Sequence, residues 1–256
     1  MGKKVLVASG CSFTFEDWNW PTFVAKEYGL DLINVGMSGQ GNGLISKKVI
    51  YQVSKLLKTM DPEDIMVGVM WSGIDRDEFY VHNYPYIKGK DTRNNVDGWI
   101  ENPTNVVDGK LDRNWLITNI GWKIPLAKLW YRHFHTDIGA MVQTLENVLR
   151  TQWFLENHNI NYFMSTYLDI FGNEWVENFM KHSEVKYLYD MVNKDTFLDV
   201  DGCYEWVKGN CDHTFAFPSS GPDDRMGNHP TEYGHQKFAE QIIIPHIKQN
   251  LNVNNT

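Results

Sequence analysis

Short apolar runs alternate with stretches of helical periodicity along this chain, and this alternation constrains the fold more than any other feature. Buried strands are predicted where β-branched and other apolar residues cluster, at residues 4–8, 32–35, 65–71 and 160–166. Amphipathic helices are predicted between and after them, over residues 21–28, 44–57, 136–157 and 231–251, with Pro245 as a kink or early end of the last helix. This order predicts an α/β protein whose parallel sheet is covered by helices on both faces.

The length of the chain fits a single domain. Its 256 residues lie within the size range of one α/β domain, and 42% of them are hydrophobic, which is ample material for one core. Residues 77–130 differ from the rest because they are rich in Asn, Asp, Gly, Tyr and Trp and show little periodicity. We therefore expect one domain over residues 1–256, with residues 77–130 as an insertion that forms a lid or shapes the substrate site.

Charge and hydropathy argue against two classes of partner. The formal net charge of −8 and the lack of a basic stripe disfavour nucleic-acid binding. No run approaches the roughly 20 apolar residues of a membrane span, and no signal-peptide pattern precedes the first strand. The scattered Cys11, Cys203 and Cys211 favour reduced thiols, although the last two remain able to pair in an oxidising compartment. We therefore expect a cytoplasmic protein with no nucleic-acid or membrane partner.

Small and polar residues occupy the loops that follow the first three predicted strands. These loops are residues 10–14 (GCSFT), 34–42 (NVGMSGQGN) and 71–76 (WSGIDR). Ligands bind beyond the carboxyl ends of the strands in open parallel sheets, so we expect the three loops to meet at one edge. A fourth segment, residues 229–235 (HPTEYGH), begins just before the closing helix. The four segments together are the predicted functional site.

These segments occur in the order found in the SGNH (GDSL-like) hydrolases, and the chain resembles that family over nearly its whole length. The resemblance implies a three-layer α/β/α, flavodoxin-like SGNH hydrolase fold with a central parallel sheet. It also implies Ser12 as the nucleophile, His229 as its base, and the backbone N–H groups of Ser12 and Gly39 as donors to the oxyanion. The blocks are similar to those of phage members, which favours a viral or bacterial source and, if phage-encoded, association with the virion.

A serine nucleophile, a histidine base and backbone donors to the oxyanion together permit acyl transfer. A serine hydroxyl is a weak nucleophile until an imidazole within hydrogen-bond reach takes its proton. The ordinary G-x-S-x-G elbow is absent, and a serine after the first strand is misplaced for an α/β hydrolase proper. Cys11 is an alternative nucleophile, but it is expected to point away from Ser12 as a small buried residue.

The third block departs from the family pattern. The family's oxyanion-hole Asn corresponds here to Ile74. We therefore expect Asn42 to donate its side-chain amide to the oxyanion, with capping of the following helix as the alternative. Asp75 and Arg76, which follow the third strand, are expected to form an ion pair at the rim of the site or a structural salt bridge.

The last block departs as well. Met226 stands where the family has an Asp three residues before the His. Asp224, and after it Asp223, is the nearest carboxylate that could orient His229. A backbone carbonyl could also orient the imidazole and leave a Ser–His dyad.

The resemblance thus implies a serine esterase or acyl hydrolase that cleaves a carboxylic ester, with an O-acyl group on a carbohydrate as a family-level guess. The expected partner is a small-molecule or glycan ester, and the expected reaction needs no cofactor and no metal. Alternate histidines such as His133 and His135 are weak evidence for zinc. Two other functions stay open: a retired scaffold that binds a glycan or a protein without turnover, and a transferase that uses the same serine.

Overall fold

The computed structural model describes residues 4–80, 99–101, 115–119, 125–172, 177–211, 214–216 and 228–251. Within these residues, a central sheet of parallel strands runs in the order β2-β1-β3-β7. Its strands are β1 (Val5–Ser9), β2 (Asp31–Asn34), β3 (Ile65–Trp71) and β7 (Asn161–Thr166). This order is that of flavodoxin-like sheets, and it places the carboxyl ends of all these strands at one edge.

Helices cover both faces of the sheet. On one face lie α3 (Asn42–Leu56), α5 (Asp137–Asn157) and α6 (Ser183–Asp190), which share an apolar cluster with the sheet. The other face carries a second apolar cluster, built with α2 (Trp20–Tyr28), α7 (Cys203–Asn210), α8 (Glu232–Phe238) and α9 (Ile244–Asn250). Every residue of β1 and β3 is buried, as expected for inner strands covered on both sides. The predicted three-layer α/β/α fold is therefore confirmed.

The predicted helix boundaries agree with the structure to within a few residues. Helix α2 ends at Gly29, whose φ of 62° is left-handed and favours glycine. The closing helix does not end early at Pro245. Residues 239–243 form a π-helical turn, and Pro245 lies in the first turn of α9. The helix therefore continues past the proline, which has no N–H to donate to a preceding carbonyl.

The described part of the 77–130 insertion is more regular than the sequence suggests. Strands β4 (Arg76–Tyr80), β6 (Trp115–Asn119) and β5 (Trp99–Glu101) form an antiparallel sheet in the order β4-β6-β5. Helix α4 (Pro125–His133) is tied to this sheet because Trp130 Nε1 donates to Asp77 Oδ2 at 2.7 Å. The remaining positions, 81–98, 102–114 and 120–124, lie outside the described residues, so the expectation of a lid stays a prediction.

No helix of the described residues combines the length and the apolar composition needed to cross a membrane. Cys11, Cys203 and Cys211 are all free, as the sequence predicts for reduced thiols.

Glu78 fastens the antiparallel sheet to the start of α3. A Cβ atom added to Gly43 would lie 1.9 Å from Glu78 Oε1, so the carboxylate presses directly on the helix backbone. The Glu78 side chain is only 6% exposed, and Lys47 Nζ lies 3.6 Å from Oε1. Burial, opposed by Lys47 and assisted by Asp77, raises the pKa of Glu78 to about 7.

Replacing Glu78 with Gln should change how stability depends on pH. The native state keeps the Glu78 proton between about pH 4.5 and 7, whereas the unfolded chain releases it, so the wild-type free energy of unfolding falls as pH rises through this window. Glu78→Gln should remove this pH-dependent loss. Between pH 5 and pH 8, the free energy of unfolding of the variant should rise relative to wild type by on the order of 2 kcal/mol. Urea unfolding at both pH values measures the difference. Glu63→Gln, at an exposed position, is the matched control, and an equal pH dependence in both variants would exclude Glu78 as the cause.

Candidate active site

Ser12 lies in the first loop at the carboxyl edge of the sheet. After β1 the chain passes Gly10, where a Cβ atom would lie 2.9 Å from the Met70 carbonyl oxygen, so the tight exit from the strand favours glycine. Helix α1 (Ser12–Phe15) follows at once and begins at Ser12. This short path from the inner strand presents Ser12 at the edge where ligands bind in such sheets.

Buried polar side chains hold the Ser12 loop in place. Asn19 Nδ2 donates to the Ser12 carbonyl oxygen at 2.9 Å, and Asn19 is fully buried. Trp20 Nε1 donates to Thr14 Oγ1 at 3.1 Å within the core. The helical turn that carries Ser12 is therefore fixed by partners outside it, as a site that must hold its geometry requires.

His229 meets Ser12 from the other end of the chain. It lies on β9 (Asn228–Pro230), which pairs with β8 (Thr214–Ala216) so that His229 faces Phe215 across the ladder. Its Nε2 atom is 2.7 Å from Ser12 Oγ, across 217 positions of sequence. The imidazole also packs on Phe13, with ring centroids 4.6 Å apart. The structure thus brings the predicted nucleophile and the predicted base into hydrogen-bond contact.

The predicted orienting acid is not visible in this geometry. Asp223, Asp224 and Met226 lie outside the described residues. Their part in holding His229 therefore stays a prediction.

His235 lies beside the pair but is buried, with 1% of its surface exposed. Its ring contacts Phe13 and Trp18, with centroids 6.1 Å and 5.8 Å away. Burial and the nearby His229 lower the pKa of His235 to about 3. His235 is therefore a buried packing residue next to the pair.

The second loop is hydrogen-bonded to the first. The Gly10 carbonyl accepts from the Met37 N–H at 3.0 Å and from Gln40 Nε2 at 2.5 Å. Gly39 lies between these two donors, with a left-handed φ of 80° that favours glycine. Neither the Gly39 N–H nor the Ser12 N–H donates to an acceptor in the part of the chain that the structure describes. Within the described residues, both groups therefore have free N–H donors for a ligand.

Asn42 is engaged elsewhere than the sequence suggests. Its Nδ2 group donates to the Ser72 carbonyl and to Thr144 Oγ1, each at 3.1 Å, and its Oδ1 accepts from the Ser72 N–H at 2.7 Å. Both amide protons are thus used, which leaves none for an oxyanion. The alternative of a helix cap also differs, because Gly41 is the N-cap of α3 and Asn42 is already helical. The amide instead ties the second loop to the third.

The third loop bears a cation rather than an amide donor. Ile74 packs against the apolar cluster of the α3 face. Arg76 Nη1 donates to Ser72 Oγ at 2.8 Å, and no ion pair joins Arg76 to Asp75 among the described residues. The expected salt bridge between these two neighbours is therefore not formed.

Tyr167 is a site residue that the sequence interpretation missed. It follows β7, so it stands at the fourth strand end of the same edge. Its ring lies 5.0 Å from that of Phe13, and the Arg76 guanidinium carbon lies 5.0 Å from its centroid. The rule that directs attention to strand ends would have found it if applied to β7 as well.

A Cys11 nucleophile or a metal centre would each be an alternative to Ser12 chemistry. Cys11 has no exposed surface, which agrees with its interpretation as a buried small residue. No group of three or more His, Cys, Asp or Glu side chains in the described residues is arranged to hold a metal ion.

The flavodoxin-like sheet and the Ser12–His229 contact at its carboxyl edge define an α/β protein with a candidate serine–histidine site. The chain belongs to DUF6071, a family of unknown function whose model matches residues 8–256. A search of curated proteins finds no significant match. Among solved structures, the chain is similar to a protein from Desulfitobacterium hafniense DCB-2 assigned to the lipolytic G-D-S-L family, at 12% identity and a TM-score of 0.44, over 97% of this chain and 100% of that one. So distant a likeness carries no argument about function.

The role of the Asn42 amide can be tested by Asn42→Asp. A carboxylate cannot donate to Ser72 or Thr144 and would repel the Ser72 carbonyl, so we expect a loss of about 1–3 kcal/mol in the free energy of unfolding. Urea denaturation measures it. Thr144→Val, which removes only one acceptor, should cost less. Asn42→Asp with wild-type stability but a kcat lowered roughly 100-fold would instead favour direct donation to an oxyanion.

Proposed function

We propose that this protein is a serine hydrolase that cleaves a carboxylic ester, with Ser12 as nucleophile and His229 as general base. The observation that carries the proposal is the 2.7 Å contact between Ser12 Oγ and His229 Nε2. Ser12 and His229 are distant in sequence but meet at a strand end. A histidine nitrogen in hydrogen-bond contact with a serine hydroxyl is the arrangement that activates a serine. The SGNH resemblance of the same two segments supports it.

The two steps follow from these groups. Ser12 Oγ attacks the ester carbonyl while His229 Nε2 takes the hydroxyl proton, and the oxyanion is met by the N–H groups of Ser12 and Gly39. Collapse expels the alcohol, which receives its proton from His229, and leaves an acyl group on Ser12. Water then attacks this acyl group with His229 again as base, which releases the acid and restores Ser12.

A carbohydrate O-acyl ester is the finer proposal. Phe15, at the end of the helix that begins with Ser12, is 40% exposed, and Tyr233, four residues after His229, is 46% exposed. Exposed aromatic rings on the two segments that carry Ser12 and His229 offer flat apolar faces on which a sugar ring can stack. The proposal requires a higher kcat/KM for an O-acetylated oligosaccharide than for p-nitrophenyl acetate.

Labelling by a fluorophosphonate tests the nucleophile. The probe should attach to Ser12 of the wild-type protein, and Ser12→Ala should abolish both labelling and hydrolysis of p-nitrophenyl acetate without loss of fold. Ser54→Ala, at an exposed position of α3, is the control and should behave as wild type. A folded wild-type protein with neither labelling nor turnover would favour a non-catalytic binding scaffold. Activity that survives Ser12→Ala but not Cys11→Ala would move the nucleophile to Cys11.

The base and its orienting acid are tested together. His229→Ala should lower kcat by roughly 10³-fold or more, whereas His133→Ala, at an exposed histidine, should not change it. Asp224→Asn should lower kcat by a similar order if this carboxylate orients His229, with Asp223→Asn as the second choice. Near wild-type turnover in both single variants and in the double variant would leave a Ser–His dyad.

A further inference from the structure

We propose that the Arg76 guanidinium is the third donor to the oxyanion, at the loop where the amide donor is replaced by Ile74. This inference rests on the proposed function. It adds a residue that forms no ion pair within the described residues and whose guanidinium is held by a hydrogen bond to Ser72.

Arg76 begins β4, but its side chain contacts residues at the carboxyl ends of two parallel strands. Nη1 donates to Ser72 Oγ at 2.8 Å after β3, and the guanidinium carbon lies 5.0 Å from the Tyr167 ring centroid after β7. That Tyr167 ring also lies 5.0 Å from the ring of Phe13, which follows Ser12 after β1. Burial opposes the charge, but electrostatic interactions with Tyr167, Cys11 and Asp75 raise the pKa of Arg76 above its ordinary value.

The acidic residues nearest in sequence have other partners. Asp75 Oδ2 accepts from Asn119 Nδ2 at 3.3 Å. Asp77 Oδ2 accepts from Trp130 Nε1 at 2.7 Å, and the Glu78 carboxylate faces Lys47. No carboxylate of the described residues forms an ion pair with Arg76.

Burial opposes the charge of the guanidinium, and Ser72 takes one of its five N–H donors. An anion that forms during the reaction would accept from the remaining donors and stabilise this charge. The oxyanion would form near this group, because the Tyr167 ring that the guanidinium faces also packs on Phe13, the residue after Ser12.

A chain of hydrogen bonds holds the guanidinium in place. Thr144 Oγ1 accepts from Asn42, Asn42 holds both backbone groups of Ser72, and the Ser72 hydroxyl accepts from Arg76. Donors that are fixed before charge develops need no reorganisation at the moment of reaction, which is what makes an oxyanion hole effective. Asn42 is accordingly a positioning residue in this scheme.

The test uses the full chain and a neutral substrate, p-nitrophenyl acetate. Arg76→Met should lower kcat roughly 100-fold or more, the scale of one lost oxyanion donor, with less than about a threefold change in KM. Arg76→Lys should fall between this variant and wild type, because it keeps the charge without the planar fork. Arg132→Met, which removes an exposed guanidinium from α4, is the control for net charge and should match wild type.

A boronic acid gives a second readout that does not depend on turnover. Phenylboronic acid forms a tetrahedral anionic adduct with an active serine, so its Kd should rise in Arg76→Met by about the factor by which kcat/KM falls.

Unchanged kcat on the neutral ester, or weakened binding of anionic esters alone, would overturn the proposal. If Arg76→Met does not fold, Ser72→Ala decides, since it frees the guanidinium while Asn42 still holds the backbone. Its kcat should fall at constant KM, and wild-type kcat would count against Arg76. Failure of the proposed function is distinct, because wild-type protein would then show neither labelling nor turnover.

Discussion

Asn42 connects three elements at the carboxyl edge of the sheet through one buried amide. It stands in the first turn of α3, binds both backbone groups of Ser72 after β3, and donates to Thr144 on α5. Buried backbone groups in a loop must be paired or pay the cost of desolvation, and a side-chain amide can satisfy a donor and an acceptor at once. The third loop therefore has a defined backbone conformation, and the backbone positions from which its side chains extend are defined as well.

The layered fold could be predicted from periodicity because the sheet is buried on both faces. Continuous apolar runs such as β3 are long enough to be recognised and too short to be helices, and α3 and α5 show one apolar face each. The insertion was harder. Strands β4 and β6 mix polar and aromatic residues, and the described part of this small sheet is held by side-chain contacts, among them Tyr131 Oη, which donates to the Thr118 carbonyl of β6 at 3.1 Å. Such contacts leave no period in the sequence.

The positions of Ser12 and His229 could be predicted from the sequence because the topology of the sheet determines them. Ser12 follows an inner strand and His229 precedes the closing helix, so a parallel sheet brings both to one edge, and they lie in hydrogen-bond contact. The side-chain partners were not predictable. Asn42 was expected at an oxyanion because it adjoins Gly39, yet its acceptors lie 30 and 102 positions away in sequence. Only tertiary distances reveal that its amide protons are already used and that Arg76 and Tyr167 face the same loops.

His235 shows how burial can serve the electrostatics of the pair. Folding lowers its pKa from 6.5 to about 3, so the unfolded chain takes up a proton first as pH falls, and the stability linked to His235 is lost progressively below about pH 6.5. Above that range the ring is neutral in both states, so it adds no pH dependence to stability. A neutral His235 adds no positive charge beside His229. The imidazolium that forms when His229 takes the Ser12 proton is therefore not opposed by a second cation, whereas a lysine or arginine at position 235 would disfavour that charge in the low-dielectric space around Phe13 and Trp18.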